Sequence, residues 1–471
     1  MGRNVIVLML DTARASDVYG NQRMVNINAI AKKGTVYLNT VAPGTWTAPT
    51  HASIFTDAKV SGIKQVSQNF FRRTGSIDPW MVKTKFLGQG SSTLAGRLSA
   101  YGYYSVLLSN NPFLTSYTNL ANGFDKVYDI WKHSNVKYNK GLSQKVSFIF
   151  NGGAKTRANM YRVSDAITKM LPKQVLDRIY LDLRKKMDRS VAKADGTYRL
   201  DRGASDTNAA LSNYLKYGYN YAPQFMFINY IEAHENYPLH STETLQDKWL
   251  YLSGIETLDS GMKAALHAAY RKRLQYLDKK IGETLDIMRD GGLLDHSTVI
   301  ITSDHGQLFG EHGGLYHAMP PYEGVSKVPL VAANYENGKL ESRREVVESP
   351  VSLLSLHKAI VGIASGKYNE LDGNMQRRGP ILSEHAGISE GWDADLLARL
   401  RSRSATANKI YLAKRKFNRK VTAVYSGKYK LLHFFGSRKD ELYDISADPG
   451  ESVNLIDSTR PMALTMLHNA L

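Results

Sequence analysis

The chain has 471 residues, 43% of them apolar, and its 61 Lys and Arg against 43 Asp and Glu leave a formal charge of +18. That apolar share excludes a wholly disordered chain, and the length allows one large core or two domains. The lack of any cysteine excludes disulfides, thiolate zinc sites, iron–sulfur clusters and a cysteine nucleophile. The positive excess calls for an anionic partner, whether nucleic acid, lipid headgroup or phosphorylated substrate.

The opening MGRNVIVLMLDTAR carries six apolar residues before Asp11. That run is too short for a secretion signal or a membrane span, and no later stretch reaches membrane length, so a soluble cytoplasmic protein is expected. Val5–Leu10 reads as a buried parallel strand delivering a polar residue at its carboxyl end. Thr45–Ser53 (TWTAPTHAS) reads as a turn entering a helix. Its first turn is either an ordinary Thr/Pro start or a place where free N–H groups favour an anion. Val106–Ser109 is a shorter strand.

From Lys132 to Arg202, 17 Lys and Arg stand against 6 Asp and no Glu. This stretch reads as a basic insertion with an amphipathic helix over 166–187, interrupted at Pro172. It suits packing on the core, and its field suits a polyanion such as nucleic acid or an anionic membrane surface. Phe225–Ile231 is a second apolar strand, ending in Glu232-Ala233-His234. A long helix follows over Lys263–Arg289, stopped by Gly291-Gly292. Thr298–Thr302 is a third buried strand, ending in Ser303-Asp304-His305, and Val328–Ala332 is a further one. After about Trp392 short strands alternate with turns (KIYLAKRK, VTAVYSGKYKLLHFF, KDELYDIS), the turns falling at 417–419 and at Ser426-Gly427.

Strands alternating with helices predict an α/β fold, a three-layer α/β/α sandwich around a large mostly parallel sheet. The expected division is a catalytic domain over 1–391, including the partly helical basic insertion at 132–202, and a small antiparallel subdomain over 392–471. In such sheets the carboxyl ends of several strands open on one crevice. Asp11, Asp304 and His305 all lie at strand ends. Two carboxylates and an imidazole suit a divalent ion such as Mn, Zn, Mg or Ca.

Together these segments resemble the alkaline phosphatase superfamily on its sulfatase-like branch, which includes sulfatases, phosphodiesterases and phosphoethanolamine transferases. The matching stretches are LMLDTARASDVYG, TAPTHASIFTD, SDHGQLFGEHGG with PPYEGVSKVPLV, and KDELYDISADPGESVNL. The resemblance runs from Asn4 to Leu455 apart from the basic insertion. It implies that Asp11, Asp304 and His305 hold a metal together with the hydroxyl of Thr47. It also implies that Thr47 is the nucleophile, that His234 and His317 hold the oxyanion or protonate the leaving oxygen, and that His51 and Asn110 contact substrate. His312 is expected to be structural, and Glu232 to orient His234 or join a second ion. One ion is favoured and a second is allowed.

Departures from the family pattern guide the choice of reaction. A sulfatase of this branch carries Cys or Ser where Thr47 stands, because that residue becomes formylglycine. A plain threonine instead resembles the phosphodiesterases and transferases. The reading is therefore a metal-dependent hydrolase of a phosphate diester or monoester through phospho-Thr47. Sulfate ester hydrolysis, phosphoethanolamine-type transfer and non-catalytic polyanion binding on the same scaffold are the alternatives.

Overall fold

The computed structural model describes residues 2–63, 85–88, 90–131, 200–219, 222–235, 237, 257–317, 319–369, 371, 375, 380–387, 408, 419–437 and 439–470. Nearly all of the basic insertion, including the helix expected over 166–187, lies outside the described residues, as does the KIYLAKRK strand.

The apolar runs form the strands expected of them. β1 (Asn4–Leu10) is wholly buried and sits mid-sheet because both its faces are apolar. The sheet has nine strands. They include β2 (Thr35–Tyr37), β3 (Tyr104–Ser109), β4 (Lys126–Asp129), β5 (Gln224–Tyr230), β6 (His296–Thr302), β7 (Leu330–Glu336), β8 (Lys339–Leu340) and β9 (Glu345–Val347). Their order is β9-β2-β7-β6-β1-β5-β3-β4, with β8 paired to β7. The five strands from β6 to β4 are parallel. β7 runs antiparallel to both β6 and β2, so the sheet is mixed on one side.

Successive side chains along a strand face opposite ways, and β1 divides accordingly. Ile6, Leu8 and Leu10 belong to a core beneath α1 (Val25–Ala31), α3 (Ala204–Tyr217) and α4 (Ser260–Asp290). Val5, Val7 and Met9 belong to the other core, beneath α2 (Thr47–Thr56) and α5 (Leu356–Ala364). The result is the three-layer α/β/α sandwich. Among the described residues no helix is long and apolar enough to cross a membrane.

A second, antiparallel sheet closes the chain: β10 (Ile381–His385), β11 (Val421–Ser426), β12 (Tyr429–Phe434) and β13 (Glu441–Asp444). Its far face is covered by α6 (Arg460–Ala470), which buries Ala463 and Met466 against Val424, Leu431 and Leu442. β10 lies ahead of residue 392, yet it pairs with β11 along its full length. The small sheet therefore draws an edge strand from the segment assigned by sequence to the larger domain. The hairpin turn expected at Ser426-Gly427 is present, with Gly427 at φ 57°, a left-handed conformation that glycine adopts at little cost.

Candidate metal and nucleophile site

The register of the parallel strands sets the site. Met9 lies opposite Asn229 and Thr302, and Asn229 lies opposite Ser109. Two residues beyond this row, at the same parity, come Asp11, Asp304 and Asn111. All three side chains therefore emerge on the face that carries α2, whose first residue is Thr47. Thr47 Oγ1 lies 3.4 Å from His305 Nε2 and 3.4 Å from Asn111 Nδ2. Asn111 Nδ2 donates to Asp11 Oδ2 at 2.5 Å. His305 Nε2 is 3.4 Å from Asp304 Oδ2 and 4.0 Å from Asp11 Oδ1.

Each carboxylate commits one oxygen to the protein. Asp304 Oδ1 accepts from the backbone N–H of Thr12 and of His305, and Asp11 Oδ2 accepts from Asn111. Asp304 Oδ2 and Asp11 Oδ1 are buried and accept no hydrogen bond among the described residues. To present its amide to Asp304, Thr12 takes φ 65°, a conformation costly for a β-branched residue. His305 Nδ1 lies 2.9 Å from Gly306 O, so Nδ1 carries the proton and Nε2 keeps its lone pair.

This donor set fits a divalent cation on its own chemistry. Burial first, then the neighbouring Asp304 charge, pushes the Asp11 carboxyl up to about 7, and burial pushes Asp304 up to about 7. Burial, with His317 adding to it, lowers His305 to about 4, leaving the neutral imidazole that metals bind. Two carboxylates forced together out of water are costly unless a cation joins them. Asp11, Asp304 and His305 can be bridged by one ion, since each offers an atom within 4.8 Å of the others.

A second group stands beside it. His317 and His305 have ring centroids 4.7 Å apart, and His317 and His234 4.8 Å. Between the two outer histidines lies Glu235, with Oε2 3.1 Å from His234 Nδ1 and 3.3 Å from His317 Nδ1. His234, Glu235 and His317 also have ligand atoms within 4.8 Å of one another. Burial lowers the His234 imidazole to about 3, against an opposing pull from Glu235.

The structure thus brings together Asp11, Thr47, Asp304 and His305, with His234 and His317 alongside. His51 lies one helical turn below Thr47 and is fully buried, its Nδ1 donating to Thr47 O at 2.8 Å and lying 3.7 Å from Asp304 Oδ2. It supports the first turn of α2, and so Thr47, from beneath. Asn110 turns to the opposite face and donates to Thr207 in α3, while Asn111 takes the place beside Thr47. Glu232 accepts from the backbone N–H of Arg202 and Ala204 at the start of α3; Glu235, which sequence reasoning passed over, is the carboxylate at the histidines. His312 stacks on Tyr322 at 3.8 Å and 3°, the structural place expected for it.

The fold and this site define an α/β protein with a threonine hydroxyl set among side chains able to hold a metal ion, at the carboxyl edge of its sheet. The Sulfatase family model matches residues 3–366, and the chain belongs to that family, within the alkaline phosphatase superfamily. It is 27% identical over 200 residues to a choline-sulfatase of Rhizobium meliloti, a match covering 41% of this chain and 33% of the relative. It is 34% identical over 99 residues to arylsulfatase K of Xenopus laevis, covering 21% and 18%. The chain thus spans a third or less of these two relatives. Among solved structures, a phosphonate monoester hydrolase of Agrobacterium radiobacter superposes with a TM-score of 0.60 at 15% identity, over 99% of this chain and 94% of that one. A sulfatase-like structure from Bacteroides thetaiotaomicron gives 0.61 at 14%, over 99% and 90%. At such identities the likeness is one of fold.

Proposed function

We propose that this chain is a metal-dependent hydrolase of oxoacid esters in which Thr47 attacks the central atom. The observation that carries the reading is the position of Thr47 Oγ1, 3.4 Å from both His305 Nε2 and Asn111 Nδ2, beside two buried carboxylate oxygens that accept no hydrogen bond among the described residues. A divalent cation bound by Asp11, Asp304, His305 and Thr47 would supply Lewis-acid polarisation and a lowered pKa for the hydroxyl. Asn111 fixes Asp11 and Thr47 relative to each other. His51 holds the first turn of α2, so the hydroxyl arrives without losing further freedom.

In the first step a bond forms from Thr47 Oγ1 to phosphorus or sulfur as the Thr47 O–H bond gives up its proton, the ester bond breaks, and the leaving oxygen takes up a proton, so that no net proton is gained or lost. His234 and His317 flank the place where that proton is needed. Burial keeps His234 neutral in the resting protein, and an anionic ester beside it, with Glu235 behind, would raise its proton affinity. Water then bonds to phosphorus or sulfur through its oxygen as the bond to Thr47 Oγ1 breaks, one proton of that water passing to Thr47 Oγ1 to restore the hydroxyl.

Sulfate is the first reading for the oxoacid, because the relatives named above are chiefly sulfatases; this reverses the order expected from Thr47 alone. Phosphate or phosphonate esters are the second reading, favoured by the plain threonine at the nucleophile position and the absence of cysteine. Aryl sulfate, aryl phosphate monoester and diester, and aryl phosphonate monoester should be compared on metal-stripped protein reloaded with Mn, Zn, Mg or Ca. Metal-dependent turnover abolished by Thr47→Ala supports the proposal, and the preferred ester chooses between the readings. No turnover of any ester, or equal rates in Thr47→Ala, overturns it. Salt-sensitive nucleic-acid binding that survives Thr47→Ala would favour a polyanion-binding role instead.

A further inference from the structure

The tail KDELYDISADPGESVNL resembles the family pattern but lies beyond residue 366, where the family model ends, and supplies none of the site residues named above. Within it Glu451 is 3% exposed and holds φ 55°, a left-handed conformation uncommon for a residue with a long side chain. Its partner is Lys430 of β12, whose ammonium is fully buried. Lys430 Nζ lies 2.7 Å from Glu451 Oε1 and 3.0 Å from Glu323 Oε1. Glu451 Oε2 in turn accepts the backbone N–H of Glu323 at 2.7 Å. Tyr425 of β11 adds bonds to Glu323 Oε1 at 2.9 Å and Ser326 Oγ at 2.7 Å. Burial alone would discharge Lys430, but the two carboxylates hold its proton affinity above the ordinary value.

Apart from the Lys430–Glu451 pair itself, these bonds converge on the short segment Glu323–Ser326. That segment touches the site twice. The carbonyl of Val325 accepts the N–H of Gly306 at 2.7 Å, and that of Ser326 accepts the N–H of Ala42 at 2.8 Å. Gly306 follows His305 directly and its carbonyl fixes the His305 ring; Ala42 lies five residues before Thr47. The fit is close: a Cβ on Gly306 would lie 2.3 Å from Gly324 O, so the two backbones meet where no side chain has room.

We infer that Lys430 and Glu451 are positioning residues for the metal loop, the small sheet holding Glu323–Ser326 at the height that places His305. This rests on the metal site described above. A buried ion pair is poor evidence for stability, since an apolar replacement of the same size often does as well, but it can fix one arrangement among several. Here the arrangement fixed is that of Gly306 against Gly324.

The test is the affinity of the purified full chain for Zn, measured by competition with a chromophoric chelator. It is run on wild type, Lys430→Met, Glu451→Gln, the double variant and Lys428→Met, with folding followed by circular dichroism and thermal melting of the chelated protein. Lys428 pairs with Asp444 on the outside of the same sheet and serves as control. Zn affinity is expected to fall at least tenfold in each of the two single variants, and by less than the product of the two losses in the double variant. Lys428→Met should match wild type. Glu451→Gln retains an oxygen for the Glu323 amide, so it and Lys430→Arg test the inference should Lys430→Met not fold. Wild-type affinity in folded Glu451→Gln and Lys430→Arg, or a loss equal in Lys428→Met, overturns the inference. Wild type that binds no metal overturns the site assignment itself.

Discussion

Asn111 bridges the carboxylate that ends β1 and the hydroxyl that begins α2, donating to Asp11 Oδ2 at 2.5 Å with Thr47 Oγ1 at 3.4 Å. A neutral amide here holds two groups of the reaction without adding charge. Asn111→Ala is expected to lower kcat/KM of the metal-loaded protein by about 100-fold, the scale of losing one preorganised donor. Asn110→Ala, which loses only a bond to α3, should leave kcat/KM within about threefold. Steady-state kinetics on both variants check this, and equal losses would refute the distinction.

The proposed metal site has a consequence for stability as well as for turnover. An ion at 100 times its Kd stabilises the fold by about 2.7 kcal/mol. Chelation should therefore lower the melting temperature of wild type. Asp304→Asn should remove most of that difference, because the Asp304 oxygen without a hydrogen bond is the one offered to the ion. Calorimetry with and without chelator decides it.

His234 is assigned to the leaving oxygen. His234→Ala should then slow esters of poor leaving groups, such as alkyl alcohols, by 100-fold or more while slowing those of nitrophenols less than tenfold. A linear free-energy series measures the difference. Equal losses across the series would make His234 a binding group.

Asp17 is buried among His267 Nε2 at 2.8 Å, Arg271 Nε at 2.7 Å and Arg14 Nε at 3.4 Å. Burial alone would raise this carboxyl, yet the His267 bond with Arg14 and Arg271 leaves it below its ordinary value. A folded-state value below the unfolded one means the stabilisation is complete above about pH 4, where unfolded Asp is ionised. It is lost as pH falls through the folded value. Asp17→Asn should cost about 2 kcal/mol at pH 7, and urea melts should show the gap to wild type closing below about pH 4. A constant gap down to pH 2 would refute the assignment.

Much of the site was legible because its residues end apolar runs. Val5–Leu10, Phe225–Ile231 and Thr298–Thr302 each announce a strand; Asp11 follows the first directly and Asp304 comes two residues after the third. Counting parity back from Asn111 through Ser109 and Leu107 would also have separated it from Asn110, since alternate residues serve opposite cores. Glu235 gave no such signal: its place depends on how the loop after β5 bends. That loop is pinned by Arg202 Nη1 to the carbonyls of His234 and Glu235, a contact between distant segments. The antiparallel sense of β7 was equally hidden, because an apolar run carries no direction. Nor did the change of composition near Trp392 reveal β10, whose pairing with β11 is made by backbone groups that every sequence possesses.

The row formed by Met9, Asn229, Thr302 and Ser109 also governs where this molecule can grow. Its chemistry hangs from strand tips that are level, so any added length inside β1, β3, β5 or β6 would slide one tip out of line and swing its next side chain toward the wrong layer. Residues 132–199 enter elsewhere, after the edge strand β4 and before α3. Because that stretch lies outside all four strands in the sequence, a change in its length leaves their register as the strands themselves set it.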